Sequence, residues 1–253
     1  MIDSASIALV GGAALVAGAV NAVAGGGSLI TFPTLVFVGL PAVTASVTNT
    51  IAMCPGYFGA TLAQRKDLVG QGGRAARLLP IGAICGAGGA LLLLATGEGL
   101  FNIVVPFLIL FAALLVAGQD RLRKLLFGHS PSARAELWAS LPVVLSSIYG
   151  GYFGAGMGVM ILAGLGVVLE DSLIRINALK QTISLFVNVA AAVVFVVWGP
   201  VDWPIVVVMA ATSLIGGALG GMLATRVPPA VLRWLVVVLG LVVAAVYFVK
   251  SWT

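Results

Sequence analysis

Lys180 has the most chemistry to offer in this chain, because it stands roughly eight residues into a segment that is otherwise largely apolar. A lone ammonium in hydrocarbon costs about 2.5–3.5 kcal/mol on insertion scales, so such a lysine marks a functional site by default. Turned inward, it pairs with an anion. Turned along the helix, its long stem lets it reach the headgroup phosphates instead. Both readings stand at this stage. Neutral hydrogen-bonding groups surround it: Asn177, Gln181, Ser184 and Asn188 fall on one helical face by the i, i+4, i+7 rule, with Thr182 beside them. Thr48, Asn49 and Thr50 form a second polar set in an earlier apolar segment. The competing role for any of these is a hydrogen bond between helices, often worth under about 1 kcal/mol.

Backbone amides are the other ingredient, and two glycine clusters supply them. Gly25, Gly26 and Gly27 follow Asn21 and precede Ser28 and Thr31; Gly154, Gly156 and Gly158 follow Tyr149 and Tyr152. Each cluster interrupts an uncharged run too long for one membrane crossing, the first spanning Ile7 to Val38. Glycine is poor helix interior and good hinge. Each run therefore reads as helix, break, helix: a hairpin whose tip lies at membrane depth, where irregular backbone survives only against protein or a water-filled cavity. Ser28 is placed to cap the helix that follows the first break. The second helix of each hairpin aims its positive end at the tip, which favours an anion. The candidate substrate site is thus Asn21, Gly25, Gly26, Gly27, Ser28, Thr48, Asn49, Tyr152, Gly154, Gly156, Gly158, Asn177, Lys180 and Gln181. The pairs Gly82/Gly86 and Gly216/Gly220 have the spacing of close helix packing and are assigned to that.

Composition fixes the setting. With 61% apolar and 8% charged residues and a mean hydropathy of +1.18, the 253-residue chain is an all-α polytopic membrane protein. The net charge of +5 is better explained by topology than by nucleic acid, since 11 of the 13 basic residues sit in four connectors, around Lys66, Lys124, Arg175 and Arg226. The positive-inside rule puts those connectors in the cytoplasm and the acidic turns at Glu98 and Asp202 outside, with both termini external. Each half, 1–118 and 137–253 about a basic loop at 119–136, is then a glycine-broken hairpin plus three crossings. Three is odd, so the second half is inverted relative to the first, a building plan of secondary transporters with the site at the repeat interface near the midplane. Aligning Gly26 with Gly156 brings Asn49 close to Asn177, while Pro33 of the first hairpin meets Ala163 in the second.

The segments Ala24-Gly-Gly-Gly-Ser-Leu-Ile-Thr-Phe-Pro33 and Asn177-Ala-Leu-Lys-Gln-Thr182, together with Val201-Asp-Trp203 and Gly216-Gly-Ala-Leu-Gly-Gly221, resemble signatures of the sulfite exporter (TauE/SafE-type) family, across essentially the whole chain. The resemblance implies a bacterial or archaeal inner-membrane permease with two repeats. It also implies small anionic substrates: sulfite, sulfoacetate and other sulfonates, or related carboxylates.

Other chemistries fit poorly. All eight acids lie at termini or connectors, which disfavours a carboxylate proton relay. Coupling then runs through a proton on Lys180, through sodium on backbone carbonyls, or is absent, because an inside-negative potential expels anions unaided. No nucleophile–base pair, HExxH or paired carboxylates point to an enzyme, and Gly-Ala-Gly-Met-Gly158 lacks the strand and acid of a nucleotide loop. No cofactor or metal is expected: His129 has no partner nearby, and Cys54 and Cys85 read as small packing residues. The alternatives to a carrier are an anion channel, or a membrane enzyme or assembly subunit.

Overall fold

The computed structural model describes residues 3–126 and 138–223, together with 237, 238 and 241, and for 119–126 the backbone alone. Every regular element among the described residues is helical: α1 (Ser4–Val23), α2 (Ser28–Phe37), α3 (Ala42–Ala63), α4 (Gly72–Leu126), α5 (Ser140–Tyr152), α6 (Met157–Val168), α7 (Leu173–Trp198) and α8 (Trp203–Leu223), with a 3-10 turn at Arg65–Leu68. Expectations for His129, for the connector at Arg226 and Arg233 and for a last crossing from Val231 to Val249 lie outside the described residues, the isolated helical positions 237, 238 and 241 apart.

The hairpins break where the glycines stand. Helix α1 stops at Val23, Gly25 takes a φ of 74°, and α2 begins at Ser28. Likewise α5 stops at Tyr152, Gly154 and Gly156 take φ of 82° and 80°, and α6 begins at Met157. Side chains rarely enter this left-handed region, so glycine is what lets each chain reverse so tightly. The returning helices are short. At 1.5 Å per residue, α2 with its 10 residues and α6 with its 12 rise about 15 and 18 Å, roughly half of a hydrocarbon core.

Helix α4 is two crossings joined without a loop. Gly97 breaks it with φ 65° and ψ −176°. Gly86 packs on Gly151, while the Phe111 ring lies 5.8 Å from that of Tyr149, only two residues away. Residues 86 and 111 of a straight helix would be roughly 37 Å apart, so the chain doubles back at Gly97. This agrees with the two spans and acidic turn read from the sequence. The second limb runs on as helix to Leu126, past Gln119 where the loop was expected to start.

Helix packing exchanges partners between the two halves of the chain. Helices α1 and α3 lean on α8, and α5 and α7 lean on the first limb of α4. Small residues make each approach: Gly18 and Gly56 meet Ser213 and Gly217, Gly220 meets Ala19, and Gly221 meets Ala60. On the other side Gly82 meets Ser147 and Ile183, Gly86 meets Val187, and Gly89 meets Ile148. The GxxxG glycines are therefore packing residues, as assigned. By these pairings α1, α3 and α8 run parallel to one another, as do the first limb of α4, α5 and α7. Gln64 beside Asn177 and Thr48 beside Asp202 set α3 and α7 antiparallel, so the two groups run opposite ways.

The described connectors sort by end as the charges suggested. At one end Glu98 accepts from Val43 N–H (3.0 Å) at the start of α3, and Thr48 Oγ accepts from Asp202 N–H (3.1 Å). At the other, Asp171 binds both Arg74 and Arg175 (2.7 Å each), and Arg175 also donates to Val69 O (2.9 Å). Burial pushes the Asp171 carboxyl up, but the Ser172 amide and the Arg74 and Arg175 guanidiniums outweigh it and hold it below the usual carboxylate range. The first is the acidic end of the molecule and the second the basic end.

Candidate functional site

The two hairpin tips touch. A Cβ built on Gly25 would lie 3.0–3.1 Å from the backbone of Gly158 and Val159, and one on Gly158 would lie 3.1 Å from Gly25 Cα. Only glycine at both positions allows this approach. The stem of Lys180 closes the junction, its Cδ and Cε lying 3.6 Å from the same point on Gly158.

Lys180 is fully buried, and its Nζ donates to the Asn21 carbonyl at 3.1 Å. It turns into the tip junction and does not run along the helix toward the headgroups at the basic end. The neighbouring Gln181 donates to the same carbonyl through Nε2 at 2.9 Å. That carbonyl belongs to the last turn of α1, where unpaired oxygens carry the negative end of the helix dipole and attract cations.

Asn21 is the hub of the site. Its Oδ1 accepts from Gly26 N–H (3.1 Å) and Gly27 N–H (2.7 Å), filling the anion-attracting end of α2 from within. Ser28 was expected to cap that helix. It is instead the first helical residue, makes no cap bond, and has its hydroxyl taken up by Asn49 Nδ2 at 3.3 Å. Capping from seven residues before the helix starts follows no local spacing rule, which is why sequence reasoning put it on the serine. The amides of Gly26 and Gly27 are consequently not free, as the cradle expectation had them.

Asn177 also serves the first hairpin, not its own. Its Nδ2 donates to Ala22 O (3.1 Å) and to Gln64 Oε1 (2.8 Å), so Gln64, overlooked in the sequence, belongs to the basic-end wall. The polar face of α7 otherwise points into protein: Ser184 and Asn188 are buried, and Asn188 returns to the Ser184 carbonyl at 2.8 Å. Thr48 lies elsewhere, on the Asp202 amide at the acidic end. Tyr152 turns away toward Thr96, hydroxyl to hydroxyl at 3.3 Å, with its ring 5.6 Å from that of Phe101. Gly154 and Gly156 shape the second tip, and Gly156 packs on Ala112 of α4.

Several buried polar atoms here have no partner among the described residues: Asn21 Nδ2, Gln181 Oε1, Asn49 Oδ1, Thr31 Oγ and Asn177 Oδ1. Each such atom costs about 1–3 kcal/mol unless water or a solute satisfies it. Toward the acidic end, an aromatic group covers the tips, with Phe32 at 5.1 Å from Phe153 and 6.3 Å from Phe101. Toward the basic end the cover is polar: Asn177–Gln64 first, then Asp171 with its two arginines. Among the described residues no group of metal-ligating side chains could hold an ion.

A model of the sulfite exporter TauE/SafE family matches residues 10–247. The chain belongs to that family. Similar relatives include a probable membrane transporter protein of Haemophilus influenzae, 28% identical over 238 residues and covering 91% of this chain and 89% of that one. Another, of Sinorhizobium, is 26% identical over 239 residues (92% and 88% covered), and one of Escherichia coli is 23% identical over 238 residues (92% and 86% covered). Both carry the same description, probable membrane transporter protein. As a member of the TauE/SafE family the protein is a multi-pass membrane transporter and not an enzyme.

Proposed function

We propose that the protein is a secondary permease for small anions (sulfite, sulfoacetate and other sulfonates, or small carboxylates) working by alternating access, with the anion held where the hairpin tips meet. The observation that carries the reading is Lys180: a fully buried side chain in contact with both tips. The acids whose side chains are described lie at connectors and turns, so none of them competes for it there. The unpartnered amide and hydroxyl groups of Asn21, Gln181, Asn49 and Thr31 supply further contacts for a polyoxygen solute. Opposed helix directions in the two packing groups support a reading as two inverted repeats. In that scheme the site opens alternately by parting the Phe32–Phe101–Phe153 cover or the Gln64–Asn177 and Arg74–Asp171–Arg175 contacts. We further place the protein in a bacterial or archaeal inner membrane, with its basic end and the 119–136 loop in the cytoplasm and both termini outside.

The test is flux into proteoliposomes of purified protein, with a panel of sulfite, sulfoacetate, methanesulfonate and acetate. Saturable uptake and counterflow for at least one of them is expected. Absence of protein-dependent flux for all four would end the anion reading, and non-saturating current would turn it into a channel.

A further inference from the structure

We propose that a proton travels with each anion and that Lys180 is the group that holds it, so that loaded and empty sites both cross uncharged. This rests on the anion-permease reading above. Lys180 is fully buried, and among the described residues its Nζ has one hydrogen-bond partner, the Asn21 carbonyl at 3.1 Å. An ammonium has three donors to satisfy and a charge to balance. With one carbonyl and no counter-ion it is the most expensive form this side chain can take inside a membrane. The neutral amine, donating one hydrogen bond to Asn21, is the inexpensive resting form. An anion beside Nζ reverses that order, because ammonium and anion then form a neutral pair.

Among the described residues the surrounding elements offer no substitute counter-ion. Helices α1, α2 and α6 carry no titratable side chain. Helix α3 brings only Cys54 and Tyr57, and α5 only Tyr149 and Tyr152, none of them a carboxylate. Of the acids flanking α7, Glu170 and Asp171 precede it at the basic end, Asp171 between Arg74 and Arg175, and Asp202 follows it at the acidic end, where Glu98 of α4 sits on Val43 N–H. Arg77 and Cys85 add no negative charge from α4, and Arg65, Lys66 and Asp67 lie in the 3-10 turn beyond the basic end of α3. The step balances as amine plus proton plus anion giving ammonium–anion pair on one side, and the reverse on the other. A lysine that kept its proton would return empty as a bare charge. The anion would then move alone, driven by the membrane potential.

The experiment loads proteoliposomes with the pH dye pyranine and follows each panel anion that is carried, methanesulfonate having a charge fixed at −1. An inward acid gradient of one pH unit is expected to accumulate methanesulfonate about tenfold. One proton should enter per anion, and a 100 mV potential should leave the accumulation unchanged. Uptake that follows the potential, about 50-fold per 100 mV, with no pyranine signal, overturns the proton site and leaves the permease reading standing. No flux and no counterflow for any panel anion sinks the permease reading, and this inference with it. Lys180→Arg, whose guanidinium stays charged, is expected to slow net uptake at least tenfold more than anion–anion counterflow. Equal losses in the two would overturn the assignment to Lys180.

Discussion

Asn21→Asp changes the charge of one acceptor without changing its shape. Asn21 Oδ1 already occupies the position at the start of α2 where an anion oxygen gains most, accepting from Gly26 and Gly27 at 3.1 and 2.7 Å. A neutral hydrogen bond contributes about 1 kcal/mol net and one to a charged acceptor about 1.5–3 kcal/mol. Two such bonds, together with a permanent counter-ion near Lys180, should hold the tip by about 2 kcal/mol more than asparagine does. On the proposed anion-permease reading, an incoming anion has to displace or coexist with that charge. Its affinity should therefore fall by the same amount, roughly 30-fold. The assay is the anion-induced rise in Tm of the purified protein, alongside the half-saturating concentration for uptake. Two signs should move oppositely: Tm without anion holds or rises, while the anion response disappears. Asn21→Ala gives the contrast, losing both bonds and about 1–2 kcal/mol of stability. The reasoning fails if Asn21→Asp binds the anion within threefold of the native protein, or if its Tm falls as far as that of Asn21→Ala.

Gly27→Ala drives a methyl into the Ala17 carbonyl, a backbone contact that cannot step aside, and should abolish folded protein on size-exclusion chromatography. Gly12→Ala, with nothing within 4 Å of the added carbon, should hold or raise Tm, since alanine is favoured over glycine in a helix by about 0.8–1 kcal/mol. Asp171 has its proton affinity lowered in the folded state, so its contribution is present above the unfolded value near ~3.9 and lost as pH falls through the lower folded value. Thermal melts should show no change from this group between about pH 5 and 8. Asp171→Asn should lower that plateau by about 1 kcal/mol and blunt the acid decline. Glu98→Ala removes the acceptor for Val43 N–H at the start of α3, and chemical denaturation should register a loss of about 0.5–1 kcal/mol.

Features with a covalent or electrostatic signature along the chain were legible in advance. Three glycines in an uncharged run announce a break wherever they fall, and the tips did form at Gly25 and at Gly154–Gly156. Charges at connectors reported which loops share an end, and the Arg74–Asp171–Arg175 cluster and the common neighbourhood of Glu98 and Asp202 around α3 agree. Depth and isolation singled out Lys180. Partner choice was not legible. The carboxamides of Asn21, Asn49 and Asn177 look alike in sequence, yet one caps α2, one holds Ser28 and one crosses 155 residues to Ala22. Which polar side chain reaches which amide depends on how helices from opposite halves cross, and no local periodicity encodes that. The aromatic cover escaped notice for the same reason: Phe32, Phe101 and Phe153 come from three distant segments.

The exchange of packing partners has a consequence for how the molecule comes into being. The small-residue faces of α1 and α3 have as their mate the stretch 213–221, which leaves the ribosome some 150 residues after α3 is complete. Until then the first hairpin sits in the bilayer with its tightest contact surface bare, available to lipid or to an assisting insertase. Maturation of this transporter is therefore a late clasping of two interlocked pieces. A chain cut between them should regain function only when both fragments are made in the same membrane.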